Sequence, residues 1–322
     1  MNLTPSPRPS SPIGERVPAA PLAPASRRGV TRGLRLRCTR WILLGLLGAS
    51  AILLPAAETG VDDLLNRAQA ADLNGEFTNA LALVNQAIGT APTNAQCFYV
   101  RGRLYARRGD PTLAVADFDR VLQMEPRAAQ VYEYRAFERF KLGQFDGAVG
   151  DFDQYLRALP RRAPFLWQRG VACYYAGRYA EGRRQFESHR LVNSNDVENV
   201  VWHFACVARQ EGIAGARAAL LPLPNDRRVP MRHIYALVEG RLRPDDVLLA
   251  ARTGKPAPAE LKLRLFLAHF YIGLYYEATG EPALAREYIL TAADEYAPPI
   301  YLGDVARAHA RLLRKPEARP SP

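Results

Sequence analysis

A 34-residue period in the small and bulky side chains, running from about Val61 to Asp196, constrains this chain more than any other feature. Set as blocks 61–94, 95–128, 129–162 and 163–196, the eighth position reads Ala68, Gly102, Ala136 and Gly170, and the twentieth reads Ala80, Ala114, Ala148 and Gly182. The twenty-fourth is Val84, Phe118, Phe152 and Phe186; the thirty-second is Pro92, Pro126 and Pro160, with Ser194 breaking the run. A fixed period of this length is the mark of a supersecondary unit that stacks on copies of itself, because one unit alone cannot bury its apolar face.

The residue types give the unit. Two antiparallel helices approach closely where both carry small side chains, which positions eight and twenty supply, and an aromatic ring at twenty-four fills the next gap. Proline at thirty-two has no N–H and a fixed φ, so it ends the second helix. Gly75, Gly109, Gly143 and Gly177 fall midway in their blocks, where the two helices must be joined. Length, small, aromatic and proline positions together resemble the tetratricopeptide repeat across four consecutive units, and the resemblance implies an all-α superhelix, or α-solenoid, of antiparallel helix pairs.

Beyond Asp196 the period weakens. Helices are expected at about Val197–Gln210 and Ile213–Leu221; Pro222, Pro224 and Pro230 then interrupt, and two short helices follow near Met231–Glu239 and Asp245–Arg252. The register returns at 266–299, with Gly273, Tyr276, Gly280, Ala285, Ile289 and Ala292 in the repeat positions, and a helix from about Tyr301 to Leu313 is expected to cap the array. The resulting division is a leader at 1–57, four repeats at 58–196, a degenerate helical spacer at 197–258, a final repeat with a C-terminal capping helix at 259–315, and a tail at 316–322.

The formal charge of +11 looks like a nucleic-acid footprint until it is divided. Residues 1–57 hold eight Arg and one acid, so the array carries only +4, too little for the concentrated basic stripe that displaces counterions. The array is therefore read as a protein or peptide binder, not a nucleic-acid binder. The leader begins with a Pro/Ser/Arg-rich tract that buries too little apolar surface to order itself. Arg32, Arg35, Arg37 and Arg40 then precede the uncharged run Trp41–Leu54, and Pro55-Ala56-Ala57 offers a cleavage site. This reads as a signal peptide or an uncleaved anchor at residues 41–57. Either form carries the repeats across the membrane, to the periplasm or cell envelope, with membrane attachment only through that segment.

Of the four cysteines, Cys38 lies in the leader, while Cys97, Cys173 and Cys206 fall inside expected helices and read as small buried hydrophobes; a Cys173–Cys206 disulfide is the alternative. Cys173, His189, His203 and Cys206 are the only grouping with metal-like chemistry, at a spacing unlike compact zinc motifs. No metalloprotease, nucleophile-elbow or phosphate-loop motif is present, and Ser188 and His189 are helix neighbours that do not face each other. Asp117/Asp119 and Asp151/Asp153 recur at one offset and read as a solvated pattern. The expectation is a scaffold with no catalysis and no cofactor; a metal-binding or enzymatic site near Cys173/His203 and a homo-oligomeric structural protein are the alternatives.

In the repeat family, positions two, five, nine, twelve and thirteen of the first helix line a concave surface. By that resemblance the partner-binding candidates are Tyr99, Arg103 and Arg107 in the second block; Phe137, Phe140 and Lys141, beside Glu133, in the third; Trp167, Tyr174 and Tyr175 in the fourth; and Arg209 in the fifth. Rigid rings beside guanidinium groups suit peptide recognition. The carboxylate clamp of chaperone-binding members is not reproduced, since Leu65, Gln69 and Val100 stand at its positions. The order of four repeats, a Trp-bearing helix around Trp202, a spacer and the segment Phe270–Tyr276 is similar to that of NlpI-type bacterial envelope lipoproteins. That similarity implies an exported adaptor for envelope enzymes, although no cysteine follows the apolar run to carry a lipid.

Overall fold

The computed structural model describes residues 56–222 and 225–314. Their helices, in chain order, are α1 (Ala56–Leu73), α2 (Phe77–Thr90), α3 (Ala95–Arg108), α4 (Pro111–Met124), α5 (Ala129–Lys141), α6 (Phe145–Ala158), α7 (Trp167–Tyr175) and α8 (Tyr179–His189). After them come α9 (Val197–Ala218), α10 (Met231–Glu239), α11 (Pro244–Arg252), α12 (Pro258–Thr279), α13 (Pro282–Thr291) and α14 (Tyr301–Arg314). There is no strand among the described residues. Apart from Ala56 and Ala57, which open α1, the leader lies outside the described residues, as do 316–322. No described helix is long and apolar enough to cross a membrane.

The four blocks fold as four hairpins, α1/α2, α3/α4, α5/α6 and α7/α8, each packed on the next. The joint between the two helices of each hairpin needs a left-handed residue, and Gly75, Gly109, Gly143 and Gly177 supply it at φ of 80°, 88°, 77° and 72°. Within a hairpin the eighth position touches the twenty-fourth: a Cβ on Gly102 would stand 2.8 Å from Phe118 Cε1, and one on Gly170 would stand 2.7 Å from Phe186 Cζ. The bare backbone there is what lets the ring lie flat in the crossing. Phe118, Phe152 and Phe186 are consequently fully buried, each worth about 1.5–3 kcal/mol by area removed from water.

A second periodic element reverses the expectation of solvated aspartates. Asp117 and Asp151 are buried, at 5% and 2% exposure, and each accepts two hydrogen bonds from the arginine sixteen residues earlier. Arg101 holds Asp117 at 2.8 Å through both Nε and Nη2, and Arg135 holds Asp151 at 2.8 and 2.6 Å. The same guanidinium reaches back to position twenty-five of the preceding repeat: Arg101 to Asn85, Arg135 to Asp119, Arg169 to Asp153. His203 occupies the arginine's place in the fifth unit and faces Glu187 at 3.4 Å. Each arginine thus ties its own hairpin together and stitches it to the one before. The planar, five-donor fork is suited to such two-way bonding.

After α8 the chain departs from the repeat in two ways. α9 breaks at Gly212 (φ 74°, ψ 179°), close to the expected boundary between two helices, and it packs on both α10 and α12. α12 begins at Pro258, eight residues before the repeat register resumes, and pairs with α13. The last helix does more than cap the array. α14 packs on α13 and on the short π-helical turn at Ala292–Tyr296, and also returns to α5, where Arg311 donates to the Lys141 carbonyl. Its inner face, Leu302, Val305, Ala306, Ala308, His309 and Ala310, is buried, so the superhelix closes on itself across its third and fourth repeats.

Candidate functional site

The closing helix divides the expected groove into a covered and an uncovered part. Tyr301, at the start of α14, sets its ring 5.4 Å from Phe137, 5.7 Å from Phe140 and 5.4 Å from Trp167. His309, two turns on, hydrogen-bonds Tyr175 Oη through Nδ1 at 3.1 Å. Burial lowers the His309 pKa and pushes the Tyr175 phenol well up. Lys141 pairs with Glu138 at 2.8 Å and stands 3.9 Å from Asp304 of α14. Phe140 and Tyr174 are interior residues at 0% and 5% exposure. Arg209 lies at the edge, its Nη1 3.5 Å from Glu277 and its guanidinium 5.2 Å over the Tyr179 ring. Six of the ten candidates, Phe137, Phe140, Lys141, Trp167, Tyr174 and Tyr175, therefore serve packing in or beside the α14 contact.

Tyr99, Arg103 and Arg107 belong to the uncovered part. Arg103 Nη1 donates to Tyr99 Oη at 3.1 Å and to Tyr134 Oη at 3.2 Å, and its guanidinium sits 4.6 Å from the Tyr134 ring centroid. Tyr134, at position six of its block, was not among the expected positions. Burial raises its phenol pKa to about 12, against the lowering effect of Arg103, so the Tyr134 hydroxyl stays protonated and can still donate. Arg107 reaches back one repeat to Asp72. Arg103 is half-buried, and the bonds to Tyr99 and Tyr134 both run through Nη1.

A cavity of about 150 Å³ opens where the fourth repeat meets the fifth. Phe165 comes from a 3₁₀ turn at Pro160–Phe165, Trp167 from the start of α7, Phe186 and His189 from α8, Asn193 and Asp196 from the loop, Glu198, Asn199 and Trp202 from α9, and Arg228 from the segment before α10. Asp196 caps α9 by accepting from Glu198 N. Arg228 then gathers three carboxylates, Asp196 at 2.9 Å, Glu198 at 2.6 Å and Asp226 at 2.7 Å, while Tyr271 donates to Glu198 at 2.9 Å. Burial pushes the Asp196 and Glu198 pKa values up even with Arg228 beside them. Of the groove candidates only Trp167 borders this cavity; the remaining wall residues are spread from 165 to 228.

The tetratricopeptide repeat model matches residues 99–136 and 138–193, the stretch whose hairpins, left-handed glycines and position-eight crossings are described above. This stretch is built of tetratricopeptide repeats. The structure of a tetratricopeptide repeat protein from Parabacteroides merdae is similar over 79% of this chain and 99% of its own, with a TM-score of 0.53 at 16% identity, a likeness of fold. PilF of Pseudomonas aeruginosa (TM-score 0.42, 13% identity, 79% of this chain and 100% of its own) also matches. So does YrrB, a TPR protein with an unusual peptide-binding site (TM-score 0.46, 16% identity, 58% and 99%). No curated protein matches the sequence significantly. Repeats of this kind make scaffolds for protein interaction.

The metal-like grouping disperses into packing. His203 faces Glu187, and His189 Nδ1 bonds Pro164 O at 2.8 Å. Cys173 and Cys206 are free, buried thiols on either side of Gly182, not a disulfide. Burial raises the Cys173 pKa to about 11 and that of Cys206 further, so both stay protonated and are poor ligands and nucleophiles. No group of three or more His, Cys, Asp or Glu among the described residues is placed to hold a metal ion.

Proposed function

We propose that this protein is an exported, non-catalytic scaffold that grips a polypeptide along the uncovered half of its concave face, centred on Arg103 between Tyr99 and Tyr134. The observation that carries the reading is that arrangement. A guanidinium held over two rings by two phenolic hydroxyls is preorganised, so a partner carboxylate loses little side-chain entropy in binding it. The covered half cannot serve, because α14 occupies it with its own aromatic and histidine side chains. A role in gathering envelope enzymes rests on the similarity to NlpI-type adaptors and on the apolar run that follows Arg40 in the leader.

The test is capture from an envelope extract by immobilised full-length protein, comparing wild type with Arg103→Glu and with Arg120→Glu on an exposed helix position. Charge reversal at Arg103 is expected to remove the partners that Arg120→Glu retains. Equal capture by all three proteins would reject this face as the binding surface. Export is tested separately, by protease accessibility of the repeats in intact cells whose outer barrier has been opened.

A further inference from the structure

The cavity beside α9 has an imbalance that its own side chains do not resolve. His189 Nδ1 is bonded to the Pro164 carbonyl at 2.8 Å, and a carbonyl only accepts, so Nδ1 carries the proton. Burial lowers the His189 pKa, which keeps the ring neutral and leaves Nε2 an acceptor. That nitrogen stands 3.9 Å from Asp196 Oδ2, itself an acceptor, and among the described residues the donor to Oδ2 is Asn193 Nδ2, through a long 3.4 Å bond. Asn199, 4% exposed and on the same wall, spends Nδ2 on the Phe186 carbonyl and leaves Oδ1 with no partner. Three acceptors belong to residues that line one space, and among the described residues little is donated to them.

Charge runs the same way. Asp196, Glu198 and Asp226 share the single cation Arg228, a surplus of two formal negative charges. The walls are aromatic, with Phe165, Trp167, Phe186 and Trp202 around the space, and the Phe165 ring already receives Arg162 at 5.8 Å. The donor Trp202 Nε1 is also unpartnered, so an acceptor a few bonds from the cationic head would be used as well. About 150 Å³ is room for the head and short aliphatic stem of an amine.

We propose that this cavity binds a primary ammonium on a short aliphatic chain, its three N–H groups directed to His189 Nε2, Asp196 Oδ2 and Asn199 Oδ1 and its stem lying among the aromatic rings. A free amine and the end of a lysine side chain share this chemistry. The site is separate from the concave face around Arg103, none of whose residues lines it, and neither proposal depends on the other.

The experiment records the indole N–H resonances of Trp167 and Trp202 in the ¹⁵N-labelled protein during titration with n-butylamine hydrochloride, Nα-acetyl-lysine methylamide, the neutral isostere Nα-acetyl-norleucine methylamide, and potassium chloride. Saturable shifts with either ammonium probe, at least tenfold weaker in His189→Phe and absent with norleucine methylamide and potassium chloride, are the expected result. Response to butylamine alone assigns a free amine, and response to the lysine derivative assigns a side chain of a polypeptide. Because His189 also bonds the Pro164 carbonyl, His189→Phe is paired with Phe165→Ala, which leaves every hydrogen bond in place and is expected to weaken binding severalfold. Equal shifts with the norleucine isostere or with potassium chloride, or no shift with any probe at 10-fold excess over about 1 mM protein, would overturn the assignment.

Discussion

Arg101→Met tests whether the arginine ladder holds the repeats together. The guanidinium makes a two-point pair with Asp117, both bonds at 2.8 Å, and a third bond of 2.9 Å to Asn85 of the preceding repeat. The Asp117 side chain is 7% exposed and that of Arg101 24%. Removing the cation leaves a buried carboxylate with no counterion, and breaking such a pair costs about 3–5 kcal/mol; because Arg101 is a quarter exposed, water will partly replace it and the lower end, about 3 kcal/mol, is expected. Arg67 occupies the same position in the first block, where the partner position carries Leu83, and its pair with Asp63 is exposed at 61% and 65%. Arg67→Met should therefore cost under about 0.5 kcal/mol. The double variant Arg101→Met/Asp117→Leu removes both charges and should recover to within about 1 kcal/mol of wild type. Urea unfolding followed by circular dichroism gives the three differences, and amide exchange in α3 and α4 locates them. A loss below about 1 kcal/mol for Arg101→Met, or no recovery in the double variant, would refute the reasoning.

Much of the fold was legible because its determinants are local. Gly102 meets Phe118 and Gly170 meets Phe186 inside one hairpin, sixteen residues apart, so a single period in the sequence carries the contact. The ladder is equally periodic, with Arg67, Arg101, Arg135 and Arg169 all at position seven, yet the acids considered without those arginines look solvated. Their burial follows only once each is matched to the arginine one helix earlier. The docking of α14 on α5 has no such signal: Tyr301 and Phe137 come together through the curvature of the whole superhelix, and nothing near either residue announces the other. The cavity was illegible for the same reason, since Arg228 reaches it from a proline-interrupted segment outside any repeat.

Three further outcomes are expected. Gly170→Ala places a methyl 2.7 Å from Phe186 Cζ and should destabilise by about 1–3 kcal/mol in chemical denaturation, whereas Gly89→Ala, which meets nothing within 4 Å, should be neutral or stabilising by up to about 1 kcal/mol. His309 has its pKa lowered in the fold, so the unfolded chain binds a proton that the folded one refuses and stability falls as pH drops below about 6.5. The advantage of wild type over His309→Gln should shrink by up to about 1.4 kcal/mol per pH unit between pH 6.5 and 5, and a pH-independent difference would contradict it. Tyr301→Ala removes the ring shared by Phe137, Phe140 and Trp167; a loss of about 3 kcal/mol is expected, with faster amide exchange in α14 and unchanged exchange in α1 and α2.

The closure by α14 also decides how a partner can be accommodated. An open solenoid offers its inner face along the full length, and neighbouring repeats can splay to admit a ligand because each touches only the next. Here Tyr301, Asp304, His309 and Arg311 tie α14 to α5 and α7, so the third and fourth repeats cannot separate without breaking aromatic contacts, the Tyr175–His309 hydrogen bond and the Arg311–Lys141 link together. Among the described residues the first two repeats have no such tie; their interior forms a cluster of its own, from Val61 to Val131. Adaptability is thereby confined to the end that carries Arg103, while the end that carries the amine cavity is held rigid. A flexible face suits an extended polypeptide that must be followed along its length, and a rigid cavity suits a small head group whose three hydrogen bonds demand fixed distances.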